Sequence, residues 1–410
     1  MERISILKGP DRVRKRPAVI FSSDDIQGLE NAVRPILELF ATEARLGHCK
    51  HLTVTQNNDE VTIAGDDRGI CLGDGTDDRT WKSIFCEIFA GPRTMSEDVP
   101  YSFSFPDVSH KTLFGETICS SDYCAPNSIG FLYLCAAQYA SSFMDVDVVR
   151  DGVKYSLAFK KGYCVSGLQT EPTDRHSGTT FHFSMDPEVF SETIIPESFF
   201  VNLLTNYAIL SPELTCTYIN FNLGTGYTHA FHFPFGITDY LKQTMNCAAT
   251  PLFKSCIRAS GRDRYNRPEY QADLEIAIGF SIDGCSEKYL HNFRTIRCGG
   301  THVRNIQDRV CRIINDCFSN EIRTLTRCHN NSDITCEELQ KYMHIVVTSF
   351  CPSHSSLWES GAQQSLINPM IADMAYDSIS GKFCTFVYNN RHALLPVIKK
   401  ILEQRNITDN

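Results

Sequence analysis

The sequence predicts a mixed α+β fold in two layers, arranged as two domains. Three observations lead there. At 410 residues the chain exceeds one ordinary core, since domains usually hold roughly 100 to 200 residues. Residues 26 to 46 carry an apolar stripe at helical period, and the stretches 51 to 64 and 145 to 159 alternate at period two around tight-turn residues.

The stripe consists of Leu29, Ala32, Val33, Ile36, Leu37, Phe40, Ala41 and Ala44, three and four residues apart. Pro35 lies inside it and predicts a kink or a break, because proline deletes a backbone hydrogen bond and clashes with the preceding turn. His51 to Thr55 and Glu60 to Ala64, joined across Asn57-Asn58-Asp59, predict a hairpin; Asp145 to Val149 and Val153 to Phe159, joined by Arg150-Asp151-Gly152, predict a second. Thr179 to Ser184 reads as a further strand, Pro187 to Leu203 as helix-like and Thr215 to Phe221 as a strand. Gly224 and Gly226 loosen the chain, which places the boundary between domains 1–222 and 223–410. Beyond it, Ala272 to Ser281 predicts a strand and Val303 to Phe318 a helix. Helix, strand and helix return from Cys336 onward, closing with an amphipathic helix over Leu394 to Glu403.

Composition excludes several classes. Apolar residues at 42% and charged residues at 21% are those of a folded globular chain rather than a disordered one. The longest uncharged apolar stretch, Ser128 to Ser142, falls short of the ~20 residues of a bilayer span. Met-Glu-Arg-Ile-Ser lacks the layout of a secretory signal, so the expected location is the cytoplasm. A formal charge of -9 disfavours strong direct binding to nucleic acid. The basic run Arg12 to Arg16 reads as a solvated loop or helix start, or as a phosphate or partner patch. Eighteen cysteines are scattered without a C-x-x-C pair and are read as buried small hydrophobes; no metal is expected. His229 and His232, three apart in a strand-like run, should face opposite sides of a sheet and not share an ion.

A resemblance joins these readings. Ile6-Leu7-Lys8-Gly9 with Val13-Arg14-Lys15-Arg16-Pro17, then Gly28-Leu29, Glu43-Ala44, Gly47-x-Cys49 and Asp67-Arg68-Gly69-Ile70, follow one another in the order and spacing of a known family. Arg150-Asp151-Gly152, Ser177-Gly178-Thr179-Thr180, Cys298-Gly299-Gly300-Thr301-His302, Ile345-Val346-Val347 and Leu366-x-Asn368-Pro369 extend the likeness to roughly residue 405. The chain resembles the B subunits of DNA gyrase and topoisomerase IV, in the GHKL class of ATPases. The resemblance implies a GHKL-type sandwich, a mixed β-sheet with helices on one face, followed by a transducer domain of the ribosomal-protein-S5 type. In relatives the DNA-cleavage domains follow the transducer, so a chain ending on the transducer's last helix is expected to lack them.

The resemblance also implies losses at the ATP site. The family's general base, a glutamate of the first long helix, corresponds to Pro35; the next aspartate and the magnesium-binding asparagine correspond to Glu38 and Leu39. Leucine has no oxygen for a hard cation. The adenine-binding aspartate corresponds to Gly65, with Asp66 and Asp67 beside it as substitutes if the loop shifts. Of the glycine-rich phosphate lid, Asn127-Ser128-Ile129-Gly130 remains, with Gly130 alone free of side-chain restriction. The transducer lysine that reaches the terminal phosphate corresponds to Gln363, in Glu359-Ser360-Gly361-Ala362-Gln363-Gln364. Arg68, Gly69 and Thr179 are retained, and Thr179 lies by the adenine in relatives. These positions are read either as a remnant site or as packing, with Pro35, Leu39 and Phe40 filling a space that once held water and metal.

The expected protein is therefore a gyrase B-like pseudo-ATPase with no catalytic residue and no cofactor, acting as a homodimer or as the partner of a gyrase or topoisomerase IV subunit. A second expectation is a divergent ATPase that binds ATP and magnesium, with Glu38 as a displaced base and Arg68 on phosphate, served by separate cleavage subunits. A third is a cysteine-rich metal or redox protein on the same scaffold.

Overall fold

The computed structural model describes residues 7–72, 79–87, 110–111, 117–118, 128–222, 226–245, 250–261, 270–325, 333–351, 356, 358–359 and 364–408. Two units emerge, one running to His232 and one from Phe233 onward. The first contains α1 (Asp11–Arg14), α2 (Pro17–Phe21), α3 (Ile26–Arg45), β1 (His51–Asn57), β2 (Glu60–Gly65), α4 (Arg79–Phe85), β3 (His110–Lys111), β4 (Thr117–Ile118), α5 (Ser128–Tyr139), β5 (Ser141–Arg150), β6 (Val153–Lys160), β7 (Tyr163–Cys164), β8 (Gln169–Pro172), β9 (Gly178–Met185), α6 (Glu197–Leu210), β10 (Thr215–Asn220) and β11 (Tyr227–Phe231).

Nine of these strands form one mixed sheet in the order β11-β10-β1-β2-β9-β5-β6-β7, with β8 also paired to β6. β1 and β10 run parallel and the other pairs are antiparallel. Alternation decides which face is covered: Leu52, Val54, Val61, Ile63, Val146, Val148, Phe181 and Phe183 are buried, while the residues between them are more open. The helices α3, α5 and α6 supply the opposing layer. The hairpin turns have the chemistry that the sequence signals. Asn58 has φ 55°, and Asp151 and Gly152 have φ 52° and 75°, the double left-handed geometry that matches the twist of two antiparallel strands.

Asp25 starts α3 by accepting a 2.8 Å hydrogen bond from the Gln27 N–H. The helix then runs unbroken through Pro35 to Arg45, where a kink or break was expected. Leu29, Ala32 and Val33 before the ring and Ile36, Leu37 and Phe40 after it are all fully buried. Burial of both halves in the core offsets the missing backbone bond.

A second difference concerns Pro187 to Leu203. Asp186 organises a turn there, its carboxylate accepting from Glu188 N and its carbonyl from Val189 N and Phe190 N. α6 begins only at Glu197, after Pro196 in extended conformation, because a residue preceding proline is disfavoured in the helical region. Thirdly, the units part at His232/Phe233 rather than between residues 222 and 223. β11 lies beyond the expected boundary but pairs with β10, which holds it in the first sheet.

The second unit contains α7 (Ile237–Met245), β12 (Phe253–Gly261), β13 (Tyr270–Phe280), β14 (Ser286–His291), β15 (Arg294–Thr295), α8 (Thr301–Leu325), α9 (Cys336–Gln340), β16 (Met343–Phe350), α10 (Pro369–Asn389) and α11 (Arg391–Thr408). Its sheet has the order β12-β13-β16-β14-β15. β16 is buried at every position, as expected of a central strand. Gly299 and Gly300 precede α8 and meet Leu366 backbone to backbone; a Cβ on Gly300 would stand 2.0 Å from the Leu366 carbonyl. That approach, with φ 144° at Gly300, is why the signature before α8 needs glycine. Asn368 caps α10 through Ile371 N, and Pro369 takes the first helical position. Among the described residues no helix is long and apolar enough to cross a membrane.

Candidate functional site

The residues that the resemblance assigns to adenine and metal come from the middle of α3, the loop after β2 and the start of β9. Pro35, Glu38, Leu39 and Phe40 are all buried on α3. Phe40 reaches the sheet, where its ring meets Phe181 edge-on at 6.2 Å between centroids. It also covers Gly65: a Cβ there would lie 2.4 Å from Phe40 Cδ1 and 2.7 Å from Cε1. The ring therefore takes the space into which a side chain at position 65 would project. Opposite, the Gly65 carbonyl approaches Gly178 so closely that a Cβ on Gly178 would stand 2.5 Å from it.

The two aspartates after Gly65 part company. Asp66 turns toward β1, its Oδ1 accepting from Lys50 N at 2.7 Å and His51 N at 2.8 Å and its Oδ2 lying 2.7 Å from His51 Nδ1. Asp67 turns inward. Its Oδ1 accepts from Gly69 N at 2.6 Å and from the Thr179 hydroxyl at 2.8 Å, and Thr179 Oγ1 in turn lies 3.4 Å from Ile70 N. Asp67 is 1% exposed and Thr179 is fully buried. Two groups that the resemblance assigns to the nucleotide site, at Gly69 and Thr179, are thus hydrogen-bonded to a carboxylate of the chain itself. Burial pushes the Asp67 carboxyl up to about 7, against those two hydrogen bonds, and the nearby Glu43 charge adds to the rise. Its Oδ2 is buried and has no hydrogen-bond partner among the described residues.

Arg68, assigned to phosphate under the divergent-ATPase expectation, has another partner here. Its Nε donates to Glu43 Oε2 at 2.8 Å and its Nη2 to Glu43 Oε1 at 2.6 Å, a two-point contact with a carboxylate that is fully buried. Gly69 has φ 76°, and a Cβ there would stand 2.5 Å from the Val149 carbonyl. Arg150 donates to the Gly69 carbonyl at 3.0 Å, so the loop is fastened from both ends.

Gly130 lies in the first turn of α5 rather than in a loop. Gln363 and Asn127 lie outside the described residues. The basic run is fastened at Arg14, whose guanidinium donates to Asp186 Oδ2 at 2.7 Å, Glu188 Oε2 at 3.1 Å and the Tyr139 carbonyl at 3.2 Å. His229 is exposed on β11 between Tyr227 and Phe231, whereas His232 reaches the Leu214 carbonyl and the Thr215 hydroxyl.

Sequence reasoning missed the central role of Asp67 and the pairing of Glu43 with Arg68. A signal for the pair was present, since a charged residue at a helical period that buries Phe40, Ala41 and Ala44 must face a counter-charge.

These residues do not fit the hydrolytic use of ATP and magnesium. A proline has no base to offer and a leucine no metal ligand. At the two positions that the resemblance assigns to adenine, Phe40 lies over Gly65 and Asp67 holds Thr179.

Comparison with known proteins agrees with this architecture. Residues 236–409 match the family model described as DNA gyrase B. The chain is 25% identical to a DNA gyrase B protein of Enterococcus faecalis over 97% of its length and 57% of that relative's, and 22% identical to the B subunit of DNA topoisomerase 4 from Mycoplasma genitalium over 99% of its length and 59% of that relative's. It therefore spans somewhat over half of these relatives. Among solved structures, the 43K ATPase domain of Thermus thermophilus gyrase B in complex with an aminocoumarin superimposes with a TM-score of 0.67 at 18% identity, covering 97% of this chain and 95% of that one. The ATP-binding domain of Francisella tularensis topoisomerase IV gives 0.66 at 16% identity, covering 98% and 99%. The chain is thus similar to the B subunits of DNA gyrase and topoisomerase IV along nearly its whole length, and it has the GHKL and transducer fold of their ATPase region.

Proposed function

We propose that this protein is a gyrase B-like subunit that has given up ATP hydrolysis and works through association, either with a second copy of itself or with a type II topoisomerase subunit. The observation that carries the reading is the internal occupation of the nucleotide-recognition groups: Asp67 holds Thr179 and Gly69 N, while Phe40 fills the place in front of Gly65. A site merely missing its base would leave those groups turned to a ligand. Here they belong to the core.

The test is calorimetric titration of the full chain with a non-hydrolysable ATP analogue and magnesium, beside an active gyrase B ATPase region as control. No heat and no thermal shift, with the control binding, is the expected result. It is to be followed by mixing the chain with an active gyrase B protein and measuring complex formation and supercoiling. Binding in the micromolar range would sink the proposal. So would a chain that remains monomeric and leaves the active protein unaffected, since association would then have no partner among those named.

One observation favours a second reading, a divergent subunit that still takes nucleotide. Asp67 Oδ2 is a buried carboxylate oxygen beside Gly69 and Thr179 with no hydrogen-bond partner among the described residues, and it could accept from an amino group. Under this reading Glu38 is the displaced base and Arg68 contributes to the site through Glu43. ATP-analogue binding that is lost in Asp67→Ala and kept in Arg68→Lys would select it.

A further inference from the structure

Strands β14 and β16 run parallel and end side by side, with His291 in register with Ser349. Their side chains meet, His291 Nδ1 lying 2.9 Å from the Ser349 hydroxyl. The other ring nitrogen, Nε2, lies 2.8 Å from the hydroxyl of Ser356, in the chain beyond β16. Ser349 is fully buried and His291 is 1% exposed, whereas Ser356 is partly exposed. Hydroxyl, imidazole and hydroxyl thus form a relay that leads from the core toward the surface. Cys351 stands beside it, its sulfur 3.6 Å from Ser356 Oγ and 3.9 Å from His291 Nε2. Trp358 meets the imidazole edge-on at 5.4 Å between centroids and gives the cluster an apolar wall.

The turn after His291 is strained. Asn292 and Phe293 link β14 to β15 with φ 46° and 70°, a two-residue turn that normally carries glycine at its second place. A bulky side chain is an outlier at positive φ; Phe293 is held there by packing edge-on against Phe350 at 5.3 Å. Strain of this kind persists where the surroundings impose it, and it clusters at functional sites. What the turn achieves is the placement of Asn292. Its Oδ1 accepts from Cys351 N at 3.1 Å and its Nδ2 donates to the Cys351 carbonyl at 2.8 Å. Nδ2 also lies 3.4 Å from Ser356 Oγ, so a fixed amide donor stands beside that hydroxyl.

We propose that Ser356 is an acyl-accepting nucleophile, with His291 as its base and Ser349 as the residue that positions His291. The substrates are carboxylic esters with small acyl groups, because Cys351 and Trp358 crowd the cluster. Burial, with the charges of His302 and Arg294, holds the His291 ring down at about 3, so it is neutral at physiological pH. A neutral imidazole has one donor and one acceptor. Ser349 offers the ring both its hydroxyl and its backbone oxygen, which favours the proton on Nδ1 and leaves Nε2 to accept from Ser356. Ser356 Oγ attacks the ester carbonyl carbon, and its proton passes to His291 Nε2. The carbonyl oxygen takes the negative charge beside Asn292 Nδ2. The bond from that carbon to the leaving alcohol then breaks, and the alcohol departs with the proton held on Nε2. The ester loses an alcohol, Ser356 gains an acyl group, and nothing is oxidised. Cys351 does not compete, because burial pushes its thiol up to about 12.

The full chain is incubated with p-nitrophenyl acetate, and its peptides are mapped by mass spectrometry at timed intervals. The expected result is an acetyl group on Ser356, formed faster than on any other serine or threonine. Its rate is level between about pH 5 and 8, because His291 does not titrate there. Ser356→Ala abolishes the adduct. His291→Gln keeps a polar side chain of similar reach and lowers the rate by about 10²–10⁴-fold. Should that buried variant fail to fold, Asn292→Gly decides: glycine suits the turn and removes the amide, for a loss of about 10²–10³-fold. Ser349→Ala slows the reaction, and Ser349→Thr, which keeps the hydroxyl, restores it. The proposal is overturned if acetyl groups appear on lysines or Cys351 and Ser356 stays free. It is equally overturned if Ser356 is acetylated as fast in His291→Gln or Asn292→Gly as in the parent, or if the rate falls between about pH 8 and 5 as it would with an exposed histidine for base.

Discussion

The Phe40 ring lies over the Cα of Gly65 so closely that even a methyl group there would stand 2.4 Å from Cδ1. Ring and glycine are therefore one choice rather than two. The aspartate that the resemblance assigns to this place would collide with the phenylalanine on α3.

Placing an aspartate at position 65 should accordingly harm the fold without creating a site. Gly65→Asp is expected to cost about 2–5 kcal/mol in urea unfolding, from overpacking and a buried carboxylate. Phe40→Ala should cost about 3–5 kcal/mol by itself. The double variant should fall short of the sum by at least ~1 kcal/mol, since removing the ring removes the clash. Simple additivity would show that the two positions do not exclude each other.

Asp67 should make the first unit more stable in mild acid. Its carboxyl is raised from 3.8 in the unfolded chain to about 7 in the folded one, so the native state binds the extra proton between those values. The stabilisation is complete below about pH 4 and is lost as pH rises through about 7, on the order of 2–4 kcal/mol. Asp67→Asn keeps an acceptor for Gly69 N and the Thr179 hydroxyl but does not titrate. Unfolding free energies at pH 5.5, 6.5 and 8 should slope downward in the parent and more weakly in the variant; equal slopes would refute the assignment.

The Glu43–Arg68 pair should behave as a buried ion pair does. Arg68→Ala leaves the Glu43 carboxylate in the core beside Asp67 and should cost about 3–5 kcal/mol. Replacing both partners, Glu43→Leu with Arg68→Met, should come within ~1 kcal/mol of the parent. If Arg68→Ala proves harmless, the guanidinium is not what satisfies Glu43.

Returning a base and a metal ligand to α3 should not return turnover. Pro35→Glu with Leu39→Asn installs the two residue types that the resemblance assigns to those positions, yet Phe40 still covers Gly65 and Asp67 still holds Thr179. Phosphate release by the double variant is expected to stay at background. ATP-dependent release above it would mean the nucleotide pocket is intact and only its chemistry was lost.

Much of the fold was legible because local signals and the final packing agree. The turns at Asn58 and at Asp151–Gly152 need left-handed residues, and the sequence supplies residues that tolerate them. The alternation on either side then fixes the register. Where local and tertiary preferences conflict, the sequence misled. Pro35 argues for a kink that the burial on both sides of it overrules, and the helical spacing after Pro187 is cut short by Pro196. At the site, residue identities mark the positions that differ from the pattern the resemblance implies, but not what each side chain does there. Asp66 and Asp67 are indistinguishable as letters. Only the backbone at the end of β2 sends one to His51 and the other to Thr179.

The parallel pairing of β1 with β10 bears on synthesis as well as on the finished molecule. His51 waits for Thr215, and at ~5–20 residues per second that partner leaves the ribosome about 10–30 s later. Until then β1 is a hairpin arm with an open edge, beside an α3 whose apolar stripe has no complete sheet to cover. Slowing translation between β2 and β10 should therefore lower the soluble yield of the first unit.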